Sequence, residues 1–527
     1  MGVIVGLDVG TTAAKAVAVD TASGWRTSAN AEYRLDAPRP RWQVQDPSAV
    51  LAAVDTVLAE VARAVGDRGG GAGSSRSAGG ASRARPTGAT GELEVLGVGT
   101  AMHGLIGMDA ELRPVTELIT WADTRAHAEA AELRAQGRAT ELLERSGTPV
   151  HPMSPLTKLM WFGRHDRSTL HAARHWIGLK DLVLLHLTGR VVTELSTASA
   201  SGLVDLAARD WSPGSLDLAG VSREQLPDIL PTTALLELSS AAADRTGLPS
   251  GLPVNSGATD GPLGNLGTGA IAPGVAGMSI GTSGAVRTVV PEPRTDSRGR
   301  LFCYALTDDA WVLGGAVSNG GLVMRWAAET FLPQADGTAR DAEALALAAQ
   351  APPGSDGLVM LPYLLGERAP LWDPDLSGSY LGVRHAHGRE HFMRAALEGV
   401  CLQMADLVDV LDGVTPVTEV RCTGGVFRSG LWRGVMAAAL GRPLVPTDDA
   451  EGSALGSVAL ALLATGRADD LTGALAQVAP AGGADEAVEV PEADRATYAR
   501  VRGRTLDLLR GYGELAEHLA DLADARG

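Results

Sequence analysis

The sequence predicts an α/β protein made of two related halves, each a mixed sheet covered by helices. Three observations predict it. The stretch Gly6-Leu-Asp-Val-Gly-Thr-Thr12 returns past the middle of the chain as Gly277-Met-Ser-Ile-Gly-Thr-Ser283, so one structural device occupies corresponding places in two halves. Apolar runs of strand length alternate with segments of helical period through most of the chain, as expected where helices pack on sheets. With 527 residues, 45% of them hydrophobic and 20% charged, the chain has length and apolar content for two large cores.

Residues 1 to about 65 read as two or three strands and a helix from Pro47 to about Val65. Each copy of the repeat reads as a β-hairpin: an apolar strand, a Gly-Thr-Thr or Gly-Thr-Ser tip, and a second strand, Ala16 to Val19 or Val286 to Val290. Glycine lets the backbone approach a ligand, so a tip offering hydroxyls and free N–H groups is a phosphate cradle. Asp8 of the first copy is Ser279 in the second, so one half alone brings a carboxylate to the phosphates, as a single Mg²⁺ site requires. Residues 67–90 collapse to Gly, Ser, Ala and Arg and read as a flexible surface insertion. A strand from Leu93 to Gly99 follows, then a helix-rich region to about residue 250, then strand, Gly-rich turn and strand between about 254 and 290. Beyond it strands (Trp311 to Gly315, Gly357 to Pro362, Val417 to Thr423) alternate with helices (Leu322 to Phe331, His391 to Val410, Leu431 to Leu440, Ser453 to Ala464). A last amphipathic helix, from about Asp494 to Ala525, is expected on the surface.

A formal charge of −17 argues against nucleic acid or an anionic membrane as partner, since both need a basic face. Cys303, Cys401 and Cys422 are odd in number and far apart, which points to a reduced, cytoplasmic protein without disulfide or zinc. No apolar run is long enough to span a bilayer, and Asp8 interrupts the first one. Only three of the 45 basic residues are lysines: Lys15, Lys158 and Lys180. None follows the glycine spacing of a Walker A loop.

Four further segments bear chemistry. In Gly257-Ala-Thr-Asp-Gly-Pro-Leu-Gly-Asn-Leu-Gly267, glycines put Asp260 on a tight turn, where it either caps the next helix or takes a hydroxyl proton during phosphoryl transfer, a task for which an ordinary carboxylate pKa suffices. Ala101-Met-His-Gly104 sets Met102, His103 and Gly104 at a strand end, where His103 either binds a sugar hydroxyl or holds a turn. Trp121-Ala-Asp-Thr-Arg125 puts Asp123 and Arg125 on one side beside an indole if extended, or makes a surface pair if helical. Thr423-Gly-Gly-Val-Phe-Arg-Ser429 is a Gly424-Gly425 turn opening a helix, suited to a nucleotide.

Taken in order, Asp8 to Lys15, His103-Gly104, Trp121 to Arg125, Asp260, and Gly281 to Ser283 followed by Thr423-Gly-Gly425 resemble the FGGY family of carbohydrate kinases. The resemblance implies two ribonuclease-H-like domains of the actin/hexokinase type with an interdomain cleft, a sugar-binding one over 1–267 and a nucleotide-binding one over 274–520. It implies Mg²⁺ at Asp8, phosphates at Thr11, Thr12 and Lys15, Asp260 as general base, and the sugar at Met102, His103, Gly104, Trp121, Asp123 and Arg125. Gly281 and Thr282 would face the terminal phosphate, with Gly321, Gly424, Gly425 and Ser429 lining the nucleotide site. Family members often carry Gln at the position of Arg325 and Asn at that of Ser429.

His151-Pro-Met-Ser-Pro155, Thr197-Ala-Ser-Ala-Ser-Gly202, Gly281-Thr-Ser-Gly-Ala-Val-Arg287, Phe302-Cys-Tyr-Ala-Leu306 and Gly366-Glu-Arg-Ala-Pro-Leu-Trp372 are similar to the gluconokinase branch, with xylulokinases the runner-up. The resemblance thus implies ATP-dependent phosphorylation of D-gluconate to 6-phosphogluconate; the expected partners are the sugar acid and ATP, with charge and apolar runs excluding nucleic acid and membrane and a homodimer left open. A substrate carboxylate wants a cation; Arg125, Arg368 and Lys158 are the candidates. The same fold also serves sensors that phosphorylate no metabolite, which would carry a separate interaction segment.

Overall fold

The computed structural model of the protein describes residues 2–70, 93–333, 337–447, 452–478, 486–505 and 508. In the first half Val3–Val9 (β1), Ala13–Asp20 (β2) and Arg26–Glu32 (β3) form an antiparallel meander, and Pro47–Gly70 (α1) follows. Leu93–Thr100 (β4) pairs parallel with β1; later Leu235–Glu237 (β5) and Pro253–Thr259 (β6) complete a six-stranded sheet in the order β5-β6-β4-β1-β2-β3. Leu179–Thr188 (α2) and Asp260–Gly267 (α3) are the helices of this half that bear on the site.

The second half repeats the plan. Val275–Ile280 (β7), Gly284–Val290 (β8), Phe302–Ala305 (β9) and Trp311–Val317 (β10) are antiparallel neighbours, and Glu419–Thr423 (β11) and Leu444–Pro446 (β12) add in parallel. The order β9-β10-β8-β7-β11-β12 makes a second six-stranded sheet. Its helices are Gly321–Phe331 (α4), Arg389–Asp412 (α5), Gly430–Leu440 (α6) and Gly452–Ala464 (α7). Helix α5 is buried nearly all round, mostly through apolar residues and with its buried polar side chains such as Arg394, Glu398 and Gln403 hydrogen-bonded.

Both hairpins and the strand and helix alternation form as the sequence predicts. Two expectations change. Residues 67–70 are the last turn of α1 rather than part of an insertion, and residues 71–90 lie outside the described residues. The final helix begins at 492 and is described to 505; beyond that only 508, also helical, lies inside the described residues.

Helix α7 belongs to the second half by sequence, yet it packs on β1 and β4 of the first and crosses α3. Missing side chains permit this. A Cβ at Gly6 would collide with the Ala454 carbonyl and one at Gly97 with that of Ser457, while Gly267 and Gly456 bring α3 and α7 into backbone contact. Among the described residues no helix is long and apolar enough to cross a membrane.

Candidate active site

The first cradle is the tip between β1 and β2. Asp8, the register partner of Lys15 across the hairpin, ends its strand with Oδ2 accepting a hydrogen bond from Ser453 Oγ at the start of α7. Asp8 Oδ1 is shut from solvent without a partner among the described residues. Burial raises the Asp8 pKa, against the pull of Ser453, Lys15 and Lys180. Thr12 is exposed at the tip, and Thr11 Oγ1 accepts from Trp121 Nε1 at 2.8 Å, tying the cradle to the wall of the cleft.

The second cradle, Gly281-Thr282-Ser283, is backed by the start of α4: Gly320 N–H bonds to Thr282 O at 3.1 Å and Gly321 N–H to Gly281 O at 2.8 Å. Gly424, at φ 116°, lies against the Ile280 carbonyl, where a side chain would collide. Gly321 therefore lies against Gly281 and Gly424 against Ile280 just before it, and Ser429 caps α6 by accepting the Trp432 N–H. Not all tip donors are free, since Gly10 and Gly281 spend their N–H groups within their own turns, on Ala13 O and Ser283 O.

Asp260 stands between the cradles as the first residue of α3, so β6 runs directly into a helix and the expected tight turn is absent. Its Oδ1 accepts the Gly261 N–H at 2.8 Å. Burial, then the charge of Asp8, raises its pKa to about 6 against the pull of Arg287, so the expectation of an ordinary carboxylate is corrected. Met102 lies over Gly261. Thr11, Met102, Gly104 and Trp121 line a narrow recess.

His103 has φ 63° and is buried, which pushes its pKa down to about 3. Its Nδ1 lies 2.6 Å from the Ala200 carbonyl, so Nδ1 carries the proton and Nε2 is left as an acceptor. Asp123 and Arg125 form a buried bidentate pair at 2.9 and 2.8 Å, with the guanidinium stacked 3.6 Å from the Trp42 ring centroid. They are neither the extended ligand pair nor the surface pair expected. Lys158 is fully buried and donates to the carbonyls of His103 and Thr120 at 2.7 and 2.8 Å, and burial lowers its pKa to about 7. Two of the three cations expected for a carboxylate are thus committed to the protein.

The third, Arg368, reaches across from the second half to lie 5.0 Å from the centroid of Trp121. Its Nη2 donates to Val317 O at 2.8 Å, while its Nε is buried without a partner. Arg287 of β8 joins it. Gly314, its register partner on β10, leaves the guanidinium room to lie across the sheet toward Gly261, and this side chain makes no hydrogen bond among the described residues. The charges of Arg287, Arg368 and Asp260 act on one another here. Sequence reasoning missed Arg287 as a site residue; its signals were its place at the end of a stretch similar to the gluconokinase branch and an arginine four residues past the second tip, inside an apolar strand. Among the described residues no three His, Cys, Asp or Glu side chains converge on a metal-sized gap, so a cation here would rest on no more than two such side chains, completed by ligand oxygens.

The chain matches the model of the FGGY family of carbohydrate kinases over both its N-terminal domain, residues 3–267, and its C-terminal domain, residues 276–465. It is 36% identical over 477 residues to the gluconokinase of Bacillus subtilis strain 168, covering 88% of each chain. To the xylulose kinase of Escherichia coli strain K12 it is 28% identical, covering 98% of this chain and 100% of the other. The crystal structure of gluconate kinase from Lactobacillus acidophilus superposes with a TM-score of 0.87 at 29% identity over 97% of this chain and 98% of that one. Two sheets of one plan, two glycine cradles and a carboxylate between them are thus joined by sequence likeness over both halves: the chain belongs to the FGGY family of carbohydrate kinases and is a sugar kinase.

Proposed function

We propose that the protein transfers the terminal phosphoryl group of Mg·ATP to the C6 hydroxyl of D-gluconate, giving 6-phosphogluconate and ADP in the cytoplasm. The observation that carries the choice of a sugar acid is the uncommitted Arg287 guanidinium beside Arg368, two cations with spare donors where the sugar recess meets the second half. An anionic end matches that surplus, because charge-assisted hydrogen bonds to a carboxylate satisfy donors that are otherwise dehydrated for nothing. The likeness to gluconokinases supports the same choice.

Asp260 takes the proton of the attacking hydroxyl; its raised pKa keeps it ionised at neutral pH yet makes it a better acceptor than a free carboxylate. His103 Nε2 accepts from a sugar hydroxyl, Met102, Gly104 and the Trp121 face shape the recess, and the Asp123–Arg125 pair stiffens its wall. Thr11, Thr12 and Lys15 meet the phosphates from one side and Gly281 and Thr282 from the other, with Gly321, Gly424, Gly425 and Ser429 around the nucleotide. The buried, unpartnered Oδ1 of Asp8 fits Mg²⁺, which takes one or two carboxylates and fills its shell with phosphate oxygens and water. Bound there, the ion would neutralise charge on the phosphates.

The xylulose kinase likeness over nearly the whole chain favours a ketopentose as the second reading. ADP release with Mg·ATP on gluconate, xylulose and glycerol, with the product mapped by NMR, separates the two. Arg287→Met should then lower kcat/KM for gluconate by about 30-fold or more, the equivalent of about 2 kcal/mol for a lost charge-assisted bond, and act less on any uncharged sugar. An equal loss on both would remove the carboxylate argument.

A further inference from the structure

Lys180 is fully buried in the middle of the site, and none of the roles above uses it. It lies on α2 and aims its ammonium at three backbone carbonyls, those of Val98, Ser256 and Ala258, the last two at 3.0 and 2.9 Å. These carbonyls mark the one break in the pairing of β6 with β4. Val254 and Asn255 pair with Leu96 and Gly97, and pairing resumes with Ala258 and Thr259 opposite Gly99 and Thr100. Ser256 and Gly257 are therefore squeezed out as a bulge, with Gly257 at φ 72° and so close to the Val98 carbonyl that any Cβ would collide with it.

The N–H groups of Ser256 and Gly257 find Ala234 O and Thr232 O on the far side, at 3.0 and 3.1 Å. On the near side the break turns carbonyls away from the ladder, and burying them unpaired would be costly. An ammonium carries three donors on one small atom, and each goes to one carbonyl. A planar guanidinium spreads its donors in a fork and cannot gather three acceptors around one point. Glu194, whose Oε1 is 4.0 Å from the ammonium, supplies the counter-charge while capping the helix Leu195–Ser199 through the N–H groups of Ser196 and Thr197. The chain keeps only three lysines, and Lys158 grips the His103 and Thr120 carbonyls in the same manner, so two of the three brace carbonyls around the recess.

Asp260 is the second residue after Ala258. A bulge bends and twists its strand, so the way it is held sets the direction in which the chain enters α3 and the place where the Asp260 carboxylate stands. We propose that Lys180 is a positioning residue: by gripping the three carbonyls of the β4–β6 bulge it fixes the aim of Asp260 at the hydroxyl to be phosphorylated. This rests on Asp260 acting as the base.

Lys180→Met keeps the unbranched apolar stem and removes the ammonium with its donors. A misplacement of about 1 Å at a reacting group costs about 100-fold, so kcat should fall by about that factor while KM for gluconate and for Mg·ATP stays within about threefold. A purely structural lysine would lower stability and leave the kcat of the folded enzyme intact. The decisive arm is the double variant. In the Asp260→Asn background the second change should alter kcat by less than about twofold, because there is no base left to aim. Near-normal kcat in folded Lys180→Met overturns the proposal, and so do losses that multiply in the double variant. Near-normal turnover of Asp260→Asn alone removes the base itself, a failure visible in that single variant. If Lys180→Met does not fold, Lys180→Gln, which retains part of the grip, is judged by the same measures.

Discussion

Replacing Asp260 by Asn should strengthen the fold while abolishing turnover. The Asp260 carboxyl is raised from 3.8 to about 6, by burial first and by Asp8 second, and the compensation from Arg287 is incomplete. A gap of about two units at about 1.4 kcal/mol each means that holding the ionised group in the folded site costs about 3 kcal/mol at pH 7. The folded pKa lies above the unfolded one, so the cost is complete above pH 6, fades as the pH falls from 6 toward 3.8, and is absent below. Asn has nearly the same shape and no charge at any pH. The variant should therefore gain about 3 kcal/mol at pH 7 to 8, about 1.5 kcal/mol at pH 5 and almost nothing at pH 4. Urea unfolding of both proteins without ligands at those pH values reads this directly. A variant no more stable than the parent at pH 7, or a gain independent of pH, would refute the claim that burial perturbs this carboxylate.

In the parent, kcat/KM for the sugar should fall below pH about 6 with the slope of one proton, as Asp260 gains its proton; His103, held near 3, adds no second ionisation between pH 5 and 8, and a limb near 4 would contradict the burial of Asp260. Ser453→Ala removes the hydrogen bond that orients Asp8 and should raise KM for Mg·ATP about tenfold with little change for the sugar; an unchanged KM would show that Asp8 needs no such support. Gly6→Ala forces a methyl into the Ala454 carbonyl and the Val458 side chain and should cost about 1–3 kcal/mol in urea unfolding, whereas a neutral result would mean that α7 shifts freely on β1.

The sequence declared what is local. Glycine, hydroxyl and apolar runs within a dozen residues spelled out both hairpins, and the Asp8/Ser279 difference between them was visible without coordinates. The alternation of strands and helices gave the two-sheet plan. What stayed hidden comes together only in three dimensions. Arg287 reads as one polar residue in an apolar strand until Gly314 on the adjacent strand gives it room to turn toward Asp260. Arg125 looked available for a ligand because nothing local announced Trp42 beneath it. Lys180 had its rarity as its sole signal, since the bulge it braces is made by two strands about 160 positions apart, each about 80 positions from the lysine itself. The docking of α7 on the first sheet escaped as well, because nothing local to Gly6, Gly97 and Gly99 announces a helix laid across them.

The glycine contact between α3 and α7 has a metrological consequence. Helix α3 begins at Asp260, and α7 holds Asp8 through Ser453 at its own start, so the two helices are a pair of jaws, one carrying a carboxylate and the other gripping one. Gly267 on Gly452 and Gly456 on Leu263 close those jaws main chain to main chain. Side chains hop between rotamers and repack, but peptide units do not, and a gap gauged by backbone varies less from molecule to molecule than one gauged by leucines. The spacing between the Asp260 and Asp8 carboxylates is thereby machined into the chain by the absence of side chains, one turn of α3 from Asp260 and one residue from the serine that holds Asp8.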